Sequence, residues 1–294
     1  MPRQPYNLEF QPKERRRRDQ ALRFLGGFCA IVLLLGIVSA IALQRDGLVD
    51  QLLGALRPTE APTEPPEDDW PHTGSALFLL CGTDDKQQNL RFCALARVDI
   101  TQRKVHIFPL PPRTMAPHGG AAPGEGRERS LEQALRDGGP KELKAAVEAL
   151  TESAVDRYIC SGDSGFVMAM NLVLPKGVSV QVPARINYTG SDFTLTLSEG
   201  KLSLHTDDRL LRYFRYLGTL EEGGTLAQGE LLARVLETYL DRGDAQQLET
   251  LFYSLMNILQ ADQTDITAKD FVAHKKLLVD ILAHGDKFTF DVKD

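Results

Sequence analysis

The sequence predicts an α/β or α+β domain, a mixed central sheet with helices on both faces, preceded by one transmembrane helix. Three observations predict it. Residues 24–43 run for twenty positions without a charge. Residues 76–81, ALFLLC, form a continuous apolar run ending in the polar Gly82-Thr83-Asp84-Asp85, as a strand buried on both faces does. From Ser75 onward, strand patterns and helix patterns interleave, which belongs to a sheet covered by helices.

The elements follow in order. Residues 1–23 are a basic tail with seven Lys and Arg against three acids, a charge of +4. The whole chain carries −6, so residues 24–294 carry −10. Twenty helical residues at about 1.5 Å each span about 30 Å, the thickness of a bilayer's hydrocarbon core. The basic block just before them predicts a cytoplasmic N-terminus, hence a single-pass signal anchor at 24–43 in the plasma membrane and an extracytoplasmic main domain. A cleaved signal peptide would have a shorter apolar core of roughly 7–15 residues. Residues 44–73 are a Pro/Glu-rich extracytoplasmic linker. Five Pro and five acids between 57 and 74 exclude a helix or a central strand and predict an extended, self-repelling spacer. Trp70 reads equally well as a docking residue or as nothing.

Residues 74–294 form the globular part. Two strands at 91–100 and 104–110 follow the first, joined by the turn-like Thr101-Gln102-Arg103. The Gly/Pro/Ala-rich stretch 115–129 predicts a mobile loop. Ser130 caps a short helix that stops at Gly138-Gly139. Pro140 opens another, with Leu143, Val147 and Leu150 on one face. Residues 178–182 and 193–197 alternate like half-buried strands. Thr206, Asp207 and Asp208 start a helix with a buried stripe of Leu210, Leu211, Phe214 and Leu217, ended by Gly218. Helices at about 225–240, 244–259 and 267–284 and a closing strand at 288–292 complete the chain.

Composition excludes several classes. At 43% hydrophobic residues the chain is too polar for a multi-span transporter, and its acidic charge argues against wrapping nucleic acid. Four Cys cannot build a disulfide scaffold. His72, His106, His118, His205, His274 and His284 include no pair at i, i+4, so no dedicated zinc site is expected. Gly162-Asp163-Ser164-Gly165 resembles the nucleophile segment of trypsin-like proteases, but the helical C-terminal third does not suit that fold. It reads as a turn with Ser164 or Asp163 as helix N-cap. Residues 119–126 lack the Lys-Ser/Thr of a phosphate loop. Asn187-Tyr188-Thr189 is a glycosylation sequon only in a glycosylating pathway. Cys81 and Cys93 face each other across strands as buried thiols or as a disulfide.

One constellation remains. Asp84 and Asp85 end a buried strand, Arg91 opens the next, Arg113 ends the one after, and Arg212 and Arg215 share a helix at i, i+3. Carboxylates near guanidiniums suit a Mg²⁺-phosphate group; they also suit ordinary solvated element ends.

The order of span, stalk and domain, followed by LFLLCGTDD and LRFCALARVDITQRKVHIFPLPPRT, resembles the LytR-CpsA-Psr family, whose domain is also named the cell envelope-related transcriptional attenuator domain. Gly138-Gly139-Pro140, Val155-Asp156-Arg157-Tyr158 leading to Gly165-Phe166, and Leu211-Arg212-Tyr213-Phe214-Arg215-Tyr216 follow in the family's order. The resemblance implies a membrane-anchored phosphotransferase that moves an anionic glycopolymer from a polyprenyl-pyrophosphate carrier onto peptidoglycan. It implies Mg²⁺ held by aspartates, with Asp84 matching the first of them. It implies Arg91 and Arg215 as catalytic arginines, with Arg113 reaching the site through a one-residue bulge. Phe166 and Met170, with Val167, Met168 and Leu172, are apolar enough to line the prenyl channel that the resemblance implies; taken singly, each reads first as a plain core residue. The implied partners are the polyprenyl-linked glycopolymer, peptidoglycan and membrane lipid. Nucleic acid is not among them, because a 23-residue tail is too short to fold as a DNA reader.

The chain also departs from the family. Cys93 stands where a second metal-binding Asp is expected, and a thiol is a poor Mg²⁺ ligand. Pro112, Leu217, Thr225 and Gln228 stand where arginines are expected. One transition-state donor is worth about 3 kcal/mol, or two decades of rate. The alternative expectation is therefore a non-catalytic, polyprenyl-lipid-binding or scaffold protein of the envelope.

Overall fold

The computed structural model describes residues 70–118, 128–204, 208–221, 223–242, 245–259 and 263–293. The expected basic tail, the transmembrane segment and most of the linker lie outside the described residues. Among the described residues no helix is long and apolar enough to cross a membrane.

Five strands make the central sheet: β1 (Ser75–Thr83), β2 (Leu90–Asp99), β3 (Lys104–Pro109), β6 (Arg157–Gly162) and β11 (Thr289–Val292), in the order β11-β3-β2-β1-β6. β1, β2 and β3 form an antiparallel meander, while β6 and β11 join the two edges in parallel. The sheet is mixed, as expected. β1 is apolar throughout because both its faces are covered. Ala76, Phe78 and Leu80 point into one core and Leu77, Leu79 and Cys81 into the other. α1 (Leu131–Thr151) covers the second core with Leu131, Leu135, Leu143 and Val147. The first core is covered by α2 (Asp163–Val173), α3 (Arg209–Leu217), α4 (Gly224–Arg242), α5 (Leu248–Ile258) and α6 (Ala268–Ala283). Two antiparallel strand pairs complete that side: β7 (Val178–Val182) with β10 (Gly200–Leu204), and β8 (Ile186–Thr189) with β9 (Thr194–Leu197).

Local expectations meet the structure unevenly. Ser130 caps α1 by accepting from the Gln133 amide, and the helix breaks at Gly138-Gly139, where Gly139 has φ +69°. The stretch 115–129 is more ordered at its ends than a mobile loop. β4 (Met115–Pro117) pairs with β5 (Glu128–Ser130), and Ala116 is fully buried between them; residues 119–127 lie outside the described residues. On α3 the buried stripe is Leu210, Tyr213, Phe214 and Leu217 rather than one containing Leu211. Asp208 ends its N-terminus in a left-handed conformation without a side-chain cap and pairs with Arg212 at 2.6 Å instead. Trp70 docks. Its Nε1 donates to the Ile100 carbonyl at 3.0 Å, and its ring meets His72, His284 and Phe288 edge-on beneath the Arg103 guanidinium. Cys93, Cys81 and Cys160 line up across β2, β1 and β6 as buried free thiols. Burial, then contact with the other two, pushes the Cys81 thiol far above its ordinary range.

α6 is tied to the sheet edge by one carboxylate. Asp270 completes a capping box with Thr267 and accepts from Arg157 of β6 at 2.8 Å. Burial pushes its carboxyl up, but the Arg157 and Thr267 donors outweigh this and hold it below the usual range. A depressed carboxylate stabilises above its unfolded pKa, near 4, and loses that contribution as pH falls through the folded value. Asp270→Asn should therefore cost about 1–3 kcal/mol at neutral pH. In urea unfolding, its deficit against the wild type should shrink below about pH 4; an equal deficit at both pH values would remove Asp270 from the acid response.

Candidate functional site

The strand polarity gathers the chemistry at one end of the sheet. β1, β3 and β6 all finish there, β2 starts there, and α2 springs from the end of β6. β1 runs from Thr83, 1% exposed, into Asp84 and Asp85. Asp84 closes the turn to β2. One carboxylate oxygen accepts from the Gln88 and Asn89 amides at 2.7 and 3.2 Å, and the other from Asn89 Nδ2 at 2.5 Å. Partial burial raises its pKa, but those donors, with Arg91 nearby, outweigh it and keep the group ionised. Asp85 reaches across to α2: its carboxylate accepts from the Ser164 amide at 2.7 Å and the Ser164 hydroxyl at 2.6 Å. The cap of α2 thus comes from the turn after β1 and not from Asp163 or Ser164. Gly162 makes this approach feasible, since a Cβ there would lie 3.2 Å from the Asp85 Cα and 2.9 Å from its carboxylate.

Two arginines face these acids. Arg215, near the end of α3, has a side chain only 12% exposed and sits 3.6 Å from Asp163, the first residue of α2. Burial pushes the Asp163 carboxyl up; Arg215 and Arg91 pull it down, and Asp85 and Asp84 push it up again. Arg91 and Arg215 both donate to the same oxygen, Oδ2 of Asp192, Arg91 at 3.3 Å. Arg91 Nε is buried without a partner. Asp192 lies at the tip of the β8–β9 hairpin, and the neighbouring Phe193 ring packs on the Arg215 guanidinium at 4.6 Å. A cleft of about 460 Å³ opens here, lined by Ser191, Asp192, Phe193, Leu211, Arg212 and Arg215 among others, within the size range of small-molecule sites.

The expected residues fall into two groups. Asp84, Arg91 and Arg215 come together. Arg113 is exposed in the loop after β3 and makes no ion pair among the described residues. Arg212 pairs with Asp208 and donates to the Thr194 carbonyl. Arg129 is taken up by Asp137 and Glu142 on α1. Phe166 is half-buried, and its ring lies tilted against Phe214 with centroids 5.7 Å apart. Met170 is 1% exposed and belongs to the core. Neither lines the arginine cleft. Gln228, at an expected arginine position, is 2% exposed and donates to the Phe214 and Arg91 carbonyls at 3.0 and 3.4 Å. That amide ties α4 to α3 and β2. The residues that pattern reading missed are Asp163, Asp192 and Phe193. No local signal joins Asp192 to Arg91, because 101 positions separate them.

The donor set does not fit a cage for resident Mg²⁺. Among the described residues no three His, Cys, Asp or Glu side chains gather as ligands. Asp84 is committed to Gln88 and Asn89, and Asp85 to Ser164. Cys93 is fully buried in the core opposite Cys81. Calorimetric titration of MgCl₂ alone into the protein should show no saturable uptake below millimolar concentration; a stoichiometric isotherm there would overturn this assignment. Asp85→Ala should cost about 0.5–2 kcal/mol through the lost cap, read as a lower urea midpoint at unchanged slope.

The sequence model of the LytR_cpsA_psr family matches residues 58–288. Solved structures of the same fold include B. subtilis TagV, at 17% identity, 76% of this chain and 85% of that one, with a TM-score of 0.57. Protein gbs0355 of Streptococcus agalactiae matches at 19% identity, 78% and 80% coverage and a TM-score of 0.58. A protein from Eubacterium siraeum matches at 14% identity, 80% and 89% coverage and a TM-score of 0.60. Among curated proteins, none matches the sequence.

Proposed function

The chain belongs to the LytR-CpsA-Psr family, and from that premise we propose that it is a membrane-anchored protein of cell-envelope assembly, acting on a glycopolymer carried by polyprenyl pyrophosphate. One observation carries the reading: Arg91 and Arg215, from different elements, converge on a single anionic oxygen. Two guanidiniums around one oxygen suit a phosphate group, which offers several acceptors to planar donor forks. In transfer, an acceptor hydroxyl of peptidoglycan attacks the phosphorus that bears the glycopolymer and gives up its proton to solvent. The bond from that phosphorus to the bridging oxygen breaks, and polyprenyl phosphate leaves with the electron pair. Charge then builds on the departing phosphate, and fixed cations beside it lower the barrier. Arg215 is held for this task by Asp163 and Phe193, and so needs little reorganisation.

A second reading, binding without transfer, is favoured by the positions that lost charge. Leu217 and Gln228 are built into the core and its hydrogen-bond network. The clamp therefore rests on fewer cations than the family resemblance implies. Localisation at the plasma membrane, with the described residues outside, completes the proposal and rests on the uncharged span at 24–43 behind a basic tail.

The test uses the full chain in detergent micelles with a synthetic polyprenyl-pyrophosphate disaccharide. Arg91→Ala and Arg215→Ala should each weaken binding about 10- to 100-fold, as expected for a charge-assisted hydrogen bond of 1.5–3 kcal/mol. Release of polyprenyl phosphate upon adding a peptidoglycan acceptor supports transfer; tight binding without release supports the second reading. Unchanged binding in both variants would remove the arginine pair from the site.

A further inference from the structure

The anion seat between the two arginines is filled by the protein itself. We propose that Asp192 is an internal counter-anion occupying the place of a ligand phosphate, and that the tip of the β8–β9 hairpin is the gate of the site. This rests on the reading that Arg91 and Arg215 bind phosphate.

The geometry separates a fixed part from a movable one. The Arg215 side chain is 12% exposed and sits against Asp163, whereas the Asp192 side chain is 44% exposed. An ion pair open to water on one side contributes little net stability, so an incoming phosphate can replace it. The base of the hairpin is fixed, with Ile186, Leu195 and Leu197 buried in the first core, and only its tip is free of that core, with Ser191 and Asp192 exposed. Residues 190–193 close a tight turn, with the Gly190 amide donating to the Phe193 carbonyl at 3.0 Å. β8 and β9 pair only with each other among the described strands. The connections at 183–185 and 198–199 are exposed. An aromatic latch sets the closed position: Phe193 lies on Arg215, and Tyr188 meets Phe193 at 4.9 Å and Tyr216 at 5.4 Å.

Charge makes displacement necessary. With Asp192 seated, the charges of Arg91 and Arg215 are set against those of Asp84, Asp85, Asp163 and Asp192. A pyrophosphate added on top of that set would meet net repulsion. In exchange for Asp192, it meets two guanidiniums with buried Arg91 Nε unpartnered. Apparent affinity then falls by the fraction of molecules whose seat is open, so removing the internal anion raises it.

The experiment measures binding of inorganic pyrophosphate and of geranylgeranyl pyrophosphate to the full chain in micelles, for the wild type, Asp192→Asn, Asp192→Ser and Asp192→Asn/Arg215→Gln. Tenfold or greater tightening in both single variants, equal for the two probes and abolished in the double variant, is the expected result. Pyrophosphate binding that is tight in the wild type and unchanged in both single variants would overturn the gate while leaving the phosphate site intact. A tightening confined to the prenylated probe would also overturn it, since the effect would then lie at the tail. Absence of binding in every form, with unchanged melting temperatures, would overturn the phosphate reading itself.

Discussion

The parallel register of β1 against β6 sets Thr83 beside Gly162, and the site follows from that alignment. Because the strands run the same way, the polar end of β1 arrives at the N-terminus of the helix that follows β6. Asp85 then finds the free amide of Ser164, and its negative charge sits at the positive end of α2. The same step leaves Asp84 to close the turn that presents Arg91. Antiparallel pairing of β1 with β2 carries Arg91 back to the same end of the sheet. A carboxylate lost at Asp85 loosens α2, and with α2 moves Asp163, the anchor of Arg215.

The site works against its own surroundings. Residues 24–294 carry −10, and a phosphate-binding seat in an acidic domain needs local cations. Only Arg91 and Arg215 are gathered at the described acids, and both are already neutralised. At a neighbouring position where the family resemblance implies an arginine, Gln228 is buried and satisfies two backbone carbonyls. An arginine there would have to bury a charge where an amide now completes hydrogen bonds, at a cost unless it were fully paired. Fewer cations and an internal anion act in the same direction, toward a site that engages its ligand only on opening.

Much of the fold was legible because it is local. The apolar run at 76–81, the cap at Ser130, the break at Gly138-Gly139 and the helix start near Thr267 each depend on neighbours within a few residues. β6 was not legible. RYICSG is six residues long and opens on a charge, and nothing local distinguishes it from a connection. The stretch at 115–129 read as a loop because its Gly and Pro dominate the composition, while the pairing of its two ends joins residues as far apart as Met115 and Ser130. On α3, Tyr213 displaced Leu211 from the stripe because the cleft lies on Leu211's side.

For the site, residue types at element ends put Asp84, Asp85, Arg91, Arg113, Arg212 and Arg215 in one candidate group, and the structure gathers Asp84, Asp85, Arg91 and Arg215 at one end of the sheet. Residue types and order were enough for the family and for a basic tail before an uncharged span. Which arginine stands free, which acid caps a helix and which acid fills the anion seat were decided by the tertiary structure alone. Arg113 and Arg91 look alike in sequence, yet only Arg91 meets the acids. Asp192 looks like a turn residue, yet it lies between two guanidiniums. Charges act through distance in space, and strand register and hairpin placement set those distances by packing elements far apart in the chain.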